Sequence, residues 1–321
     1  MKRCVDSLLD GAGDDVEIII VDDGSTDSTP DIADNYGRKF AETVRVIHQQ
    51  NSGHGGAINT GLAAAAGVYF KVVDSDDYAG KDAYAEILAA LRGFISDNIR
   101  VDLVVSNYVY EKAGKKRKSI NFLSALPEKR IAGWENTQNF SVGKYLLMHA
   151  LTYRTDVLRQ SALILPRNIF YVDNLFAFIP LTFVKTLYYI NADFYRYSIG
   201  FEEQSVKEST MIKQIDQQIT VNKMMFESVD LKAVTNKKLK DYLLHYLEIA
   251  TIISMIFLVR SGNKESLKKK KELWEYVMNY PAAYEYFRRR IYFKLLCLTG
   301  AAGRFISVLF YHLMRFKYGF N

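Results

Sequence analysis

The chain has 321 residues, 49% of them hydrophobic and 24% charged, a balance that excludes a disordered or fibrous polypeptide and gives length for one large domain or a domain with an appendage. Its two cysteines, Cys4 and Cys297, lie nearly the whole chain apart with no metal-ligand spacing, which excludes a disulfide framework and fits a reducing compartment. The net charge of +6 is uneven: from Lys264 onward twelve Lys and Arg face four Glu, so the remainder is slightly acidic, a footprint that speaks against a nucleic-acid-binding fold.

The opening "MKRCVDSLL" puts Cys4, Val5, Leu8 and Leu9 on one face with no cap residue ahead of them, and reads as the second half of a helix. "VEIIIV" (Val16 to Val21) predicts a buried strand, followed by a helical stretch through Tyr36 to Phe40 and the strand "VRVIH". "GGAINTGLAAAA" predicts a helix beginning near Gly56, and "VYFKVV" (Val68 to Val73) another buried strand. This alternation predicts an α/β fold on a mostly parallel sheet with helices on both faces. A helix over about Lys81 to Ile95 follows, and "VDLVVSNYVYE" enters a hairpin through the basic tip "KAGKKRK". Past Ser141 the pattern turns helical, with strand-like pieces "TLYYI" and "FYRYS", and from about Gln214 it is nearly all helix, dividing the chain into residues 1–213 and a helical region 214–321. The apolar run Ile249 to Val259 is too short to cross a bilayer and predicts a buried helix. In the tail, Phe305, Leu309, Leu313, Phe316 and Phe320 form an apolar stripe opposite Arg304, Ser307, Tyr311 and Arg315. Such a basic amphipathic helix suits an anionic membrane surface, or packs on the domain with its charges solvated.

Two predicted strands end in acids, Asp22 and Asp23 after the first, Asp74, Asp76 and Asp77 after "KVV". In open α/β sheets ligands bind outside the carboxyl ends of strands, so both clusters are expected to look into one site. Bunched carboxylates raise one another's pKa unless a cation compensates them, and hard oxygen donors select Mg²⁺ or Mn²⁺. The alternative is a pair of helix-capping turns. Between them "NSGHGGAINTG" offers Gly53, Gly55, Gly56 and Gly61 for close backbone approach at a helix start, a cradle for phosphate, with His54 as a further donor or an exposed loop residue. Asp173, among Tyr171, Val172, Leu175 and Phe176, is in apolar company that raises a carboxyl toward base strength, or is a helix cap.

"VDDGSTDST", "NSGHGGAINTG" and "VVDSDDY", in this order and at these separations, resemble the family 2 glycosyltransferases, nucleotide-sugar enzymes of GT-A fold that transfer one sugar with inversion. The resemblance implies a nucleotide-diphosphate sugar bound by Asp22, Asp23 and Asp74 with Asp77 adjacent, and by Asn51, Gly53, His54, Gly56 and Asn59 of the glycine-rich segment. It implies a divalent metal on Asp74 and Asp76, and a catalytic base at Asp173 in "FYVDNLFAF", where Val172 stands in place of the family's usual Glu. "LLMHALTYRTDVL" and "YRYSIGFEEQSV" are similar to members that build bacterial surface polysaccharides, which implies His149, Arg154 and Gln204 on the acceptor side; His149, on a helix, equally reads as a core histidine. The Q-x-x-R-W element of processive synthases is absent, so single-sugar addition is expected. The implied acceptor is a glycan or lipid-linked glycan, and the implied location the cytoplasmic membrane face, reached peripherally through the basic tail, with no nucleic acid as partner.

Members of the family begin with a buried strand carrying a Pro and a Tyr-Asn turn, so this chain is expected to lack a first strand beside "VEIIIV" and to be a shortened version of an active enzyme. Two other readings stay open: a catalytically inactive glycosyltransferase-like scaffold, and a sugar-phosphate nucleotidyltransferase, whose glycine- and lysine-rich loop after the first strand is not visible here.

Overall fold

The computed structural model describes residues 1–112, 114, 116–199, 208–297, 303, 305, 308 and 309. They fall into two units, Met1–Phe140 with Leu146–Ile199, and Ser141–Tyr145 with the described part of Gly200–Asn321.

In the first unit α1 (Lys2–Leu9) buries Cys4 and Val5 and leaves Leu8 and Leu9 half-buried. β1 (Ile18–Asp22), α2 (Thr29–Lys39) and β2 (Val44–His48) form a parallel β-α-β unit whose register runs from Ile18 opposite Val44 to Asp22 opposite His48. After α3 (Gly53–Ala64) come β3 (Tyr69–Phe70), β4 (Tyr78–Ala79), α4 (Lys81–Ser96), β5 (Leu103–Glu111), β6 (Lys118–Ile120), β7 (Ile131–Ala132) and β8 (Leu151–Arg154). α5 (Thr155–Gln160), α6 (Asp173–Phe178) and β9 (Leu187–Ser198) complete the unit. Seven of the strands make a second sheet in the order β3-β8-β5-β9-β4, with β6 beside β5 and β7 beside β9.

The α/β class stands, but the second sheet is mixed: β5 and β9 run parallel, and its other pairings are antiparallel. "TLYYI" and "FYRYS" are one continuous strand, β9. The helix expected through "LLMHALTYRTDVL" is a 3-10 turn (Met148–Ala150), then β8, then α5. Leu146, Met148, Ala150, Leu151 and Tyr153 are all buried, and a run buried on every side has no period to distinguish strand from helix. The hairpin through the basic tip is present as β5 and β6, Tyr108 opposite Ile120.

The two strands expected to be buried are only partly so. Ile18 is buried, but Ile19, Ile20 and Val21 are half-exposed, as are Tyr69 to Val73. β1 pairs with β2 alone and β3 with β8 alone among the described residues, so each keeps an unpaired edge. Gly61 of α3 covers both strands from one side: a Cβ added there would lie 3.8 Å from Val21 and 3.9 Å from Phe70.

The second unit is helical: α7 (Glu208–Lys213), α8 (Ile215–Ser228), α9 (Lys237–Ser261), α10 (Lys264–Met278), α11 (Pro281–Phe287) and α12 (Ile291–Cys297). Asn236 caps α9 by accepting the Leu239 N–H at 3.1 Å, and Gly262 ends it in the left-handed region at φ 71°. By length and composition α9 could cross a membrane, yet 89% of its apolar window is buried within the structure, the condition of a core helix. Of the predicted tail stripe, Phe305 and Leu309 are described and exposed; Leu313, Phe316 and Phe320, with Arg304, Ser307, Tyr311 and Arg315, lie outside the described residues.

Candidate active site

Asp22 ends β1 and is buried. Its Oδ1 accepts the Ser25 N–H at 3.1 Å, and its Oδ2 lies 2.8 Å from His48 Nδ1, the residue opposite it on β2. Burial alone would raise the Asp22 carboxyl; the bonds from Ser25 and His48 outweigh it and hold the group below its ordinary range. Asp23 turns toward α3, its Oδ1 accepting from Gln49 Nε2 at 2.6 Å and from the Ser52 N–H at 2.8 Å. Gly24 follows at φ 75°, and a Cβ there would come 2.9 Å from the Asn51 nitrogen, so the turn admits only glycine and brings exposed Asn51 alongside the acids.

The glycine-rich segment starts α3, three residues earlier than expected. Its glycines meet the chain's own loop. A Cβ on Gly53 (φ 74°) would lie 2.9 Å from the Asn168 nitrogen, one on Gly55 would overlap Pro166 O, and one on Gly56 would overlap the Ser52 side chain. Asn59 is likewise engaged inside the protein: its Nδ2 donates to Leu165 O at 2.8 Å and its Oδ1 accepts the Leu165 N–H at 3.0 Å.

His54 points the other way. Its Nε2 lies 3.1 Å from Asp74 Oδ1, while the Tyr195 hydroxyl donates to Asp74 Oδ2 at 3.0 Å. Burial raises the Asp74 carboxyl, but the bond and charge of His54, with the bond from Tyr195, pull it down to about 2. His54 in turn is held above its ordinary value because its bond to Asp74 overcomes burial. Asp76 is exposed, and partial desolvation together with the Asp74 charge raises it. Asp77 is fully buried; its Oδ1 accepts the Ser198 N–H at 2.7 Å, and its Oδ2 is outside hydrogen-bond geometry of any described partner. Burial pushes this carboxyl up to about 8.

Asp173 opens α6 two residues after Tyr171, which sits at φ 68°, an uncommon conformation for a bulky side chain. Desolvation raises the Asp173 carboxyl; His54 draws it down and Asp74 pushes it up, so the charges of α3, the end of β3 and the start of α6 share one field. His149 is buried on its 3-10 turn, stacked on Tyr195 with ring centroids 4.4 Å apart, its Nδ1 3.9 Å from Asp74 Oδ2. Burial pushes it down to about 4, so it is a neutral member of the wall behind Asp74. Arg154 is not brought to the acids. It lies opposite Tyr69, at the far end of the segment that leads to Asp74, and donates to Asp156 at 3.1 Å. Gln204 lies outside the described residues.

Lys71, Tyr195 and Tyr197 were not singled out by sequence. Lys71 Nζ donates to His149 O at 2.8 Å and Leu151 O at 3.1 Å, with burial pulling its amine down to about 7. A lysine inside the apolar run "VYFKVV" and tyrosines at i, i+2 in "FYRYS" were the available signals.

An α/β unit with acids at strand ends and a helix N-terminus between them has the architecture of the GT-A glycosyltransferases. The fragment 1–349 of S. aureus TarS matches with TM-score 0.56 at 17% identity, covering 90% of this chain and 87% of that one, a likeness that fixes the fold; the same fragment is also solved with UDP-GlcNAc. Residues 1–152 match the family model of Glycosyl transferase family 2. EpsH of Bacillus subtilis (strain 168), named as a glycosyltransferase, is 32% identical over 215 residues, 62% of this chain and 57% of EpsH. The poly(ribitol-phosphate) beta-glucosyltransferase of Bacillus spizizenii is 43% identical over 86 residues, 26% of this chain and 14% of that protein. The matches thus span less than two thirds of either relative's length.

Proposed function

We propose that this chain is an inverting glycosyltransferase that moves a single sugar from a nucleotide-diphosphate sugar to a hydroxyl of a glycan or lipid-linked acceptor in cell-surface polysaccharide synthesis. The observation that carries this reading is the strand-end carboxylate Asp74 held by His54 at 3.1 Å and by the Tyr195 hydroxyl at 3.0 Å, with Asp173 at the start of α6 under the influence of both the His54 and the Asp74 charge. The family 2 match, the UDP-GlcNAc complex of TarS and the polymer acceptor in the name of the Bacillus spizizenii relative support the substrate class.

The acids fit a hard divalent cation, Mg²⁺ or Mn²⁺. Asp76 is exposed and raised by Asp74, a repulsion that a cation relieves, and its donors are oxygens. Asp76 would hold the ion with Asp74. Among the described residues no three acid, His or Cys side chains are grouped so as to hold a metal ion. When bound, the ion supplies positive charge against the diphosphate.

Asp173 accepts the proton of the acceptor hydroxyl, and its raised pKa suits it to that transfer. The acceptor oxygen then bonds the anomeric carbon from the face opposite the diphosphate as the bond to the diphosphate oxygen breaks. Tyr195 and His54 keep Asp74 ionised and oriented throughout. Asp22 and Asp23, both met within the chain, shape the turn that sets Asn51 on the nucleoside side. The basic tail is assigned to an anionic membrane at the cytoplasmic face.

The test is nucleoside diphosphate release by the full chain with Mn²⁺ across UDP-glucose, UDP-GlcNAc and GDP-mannose, with and without a lipid-linked glycan fraction. Asp173→Asn should lower turnover about 100-fold or more with nucleoside diphosphate affinity nearly unchanged. Turnover near that of the unmodified chain would remove Asp173 as base; binding without turnover in the unmodified chain would favour the scaffold reading.

A further inference from the structure

α3 makes attachments in two directions. Near its start His54 reaches Asp74. Further along, Asn59 makes two hydrogen bonds to the backbone of one residue, Leu165, donating to its carbonyl at 2.8 Å and accepting from its N–H at 3.0 Å. The residue before the helix joins in: Ser52 O accepts the Asn168 N–H at 2.8 Å. Gly53 and Gly55 leave the room this requires, since side chains there would strike Asn168 and Pro166.

The segment held in this way leads into Asp173. It contains Ala162, Asn168 and Tyr171 in the left-handed region, at φ 49°, 55° and 68°, and it carries Ile164 80% exposed. The stretch buries Leu163 and Leu165 and leaves residues 166–171 half-buried or exposed, so the hydrogen bonds from α3 add to what those two leucines fix. Part of the grip is α3, which through His54 also contacts Asp74.

We propose that Asn59 is a positioning residue for Asp173: its two-point hold on Leu165 sets where the base stands relative to the donor-side carboxylate. With one N–H and one lone pair of its amide spent on Leu165, Asn59 acts here as a support within the protein, where the sequence led to the expectation of a direct donor contact. This inference rests on Asp173 as base.

The experiment uses the full chain and three variants. Asn59→Leu removes both bonds. Asn59→Asp keeps the acceptor for the Leu165 N–H and loses the donor. Gly55→Ala pushes Pro166 away with Asn59 intact. Hydrogen exchange of the peptide spanning Leu163 to Tyr171 should accelerate about tenfold or more in Asn59→Leu and Gly55→Ala, and less in Asn59→Asp. Donor turnover should fall in the same order, about tenfold or more at the extreme, with KM for the donor and the affinity for UDP within about threefold. An affinity for UDP that weakens as much as turnover would make Asn59 a ligand contact and overturn the proposal. Faster exchange with unchanged kcat would overturn it too, by making the clamp merely structural. An active Asp173→Asn would instead strike the base assignment, a result the exchange data do not depend on.

Discussion

The acid turn after β1 and the acid turn after β3 look alike in sequence and differ in how their carboxylates are satisfied. Asp22 and Asp23 are met by their surroundings, Ser25 and His48 on one, Gln49 and Ser52 on the other. After β3, Asp74 alone is well matched; Asp76 and Asp77 are both raised, and Asp77 keeps one buried oxygen without a hydrogen bond. A saturated acid turn shapes backbone. An unsaturated one retains interaction energy for a cation or a ligand, because a buried polar group left unmet costs about 1–3 kcal/mol.

The sharpest way to break this contrast is to neutralise one acid from each turn. Asp76→Asn should weaken Mn²⁺-dependent binding of UDP about tenfold or more by calorimetry, and abolish the difference made by chelator. Asp22→Asn should leave the cation dependence in place and cost about 1–3 kcal/mol in urea unfolding, the penalty for mismatching Ser25 and His48. A cation dependence unchanged in Asp76→Asn would end the distinction.

The two turns should also respond oppositely to pH in the metal-free chain. Asp22 is held below its ordinary 3.8, so its stabilisation is present above that pH and lost as pH falls through the folded value. Asp77 is raised to about 8; between about 4 and 8 the folded chain holds a proton that the unfolded chain has released. Its favourable contribution is therefore complete below about pH 4 and lost as pH rises through about 8. Urea midpoints from pH 3 to 9 in EDTA should show Asp22→Asn flattening the acid side and Asp77→Asn the alkaline side. An alkaline limb that persists in Asp77→Asn would assign it to another group.

The smallest effect belongs to Arg154, whose partner is Asp156 and whose place is opposite Tyr69. Arg154→Gln should change donor turnover by less than about twofold and stability by less than about 1 kcal/mol, as for partly exposed ion pairs. A large loss of turnover would return Arg154 to the acceptor side.

Strands with β-branched runs bounded by Asp and Gly, such as β1 and β2, were legible from period and punctuation, as were α4 and the buried α9. β8 was not, because Leu151 to Tyr153 continue an apolar stretch in which helix and strand share one pattern. The acids were legible because chemistry of that density has few structural uses. What distinguishes Asp22 from Asp77 was not, since it depends on His48 and Ser198, which are 26 and 121 residues away in the chain. The glycines were legible as points of close approach, but the sequence does not state what approaches; Pro166 and Asn168 come from a segment more than a hundred residues on.

α9 carries one further consequence. Its apolar window is long enough for a bilayer, yet Glu248 lies midway along it, 1% exposed, with Arg290 3.7 Å and His245 3.9 Å away. An acid or base at the centre of an inserting helix costs about 2.5–3.5 kcal/mol on translocon scales, a cost that a leucine there would reverse in sign. Glu248 therefore raises the cost of placing this helix in a bilayer, and suits it to the enclosed position it has among the other helices of its unit.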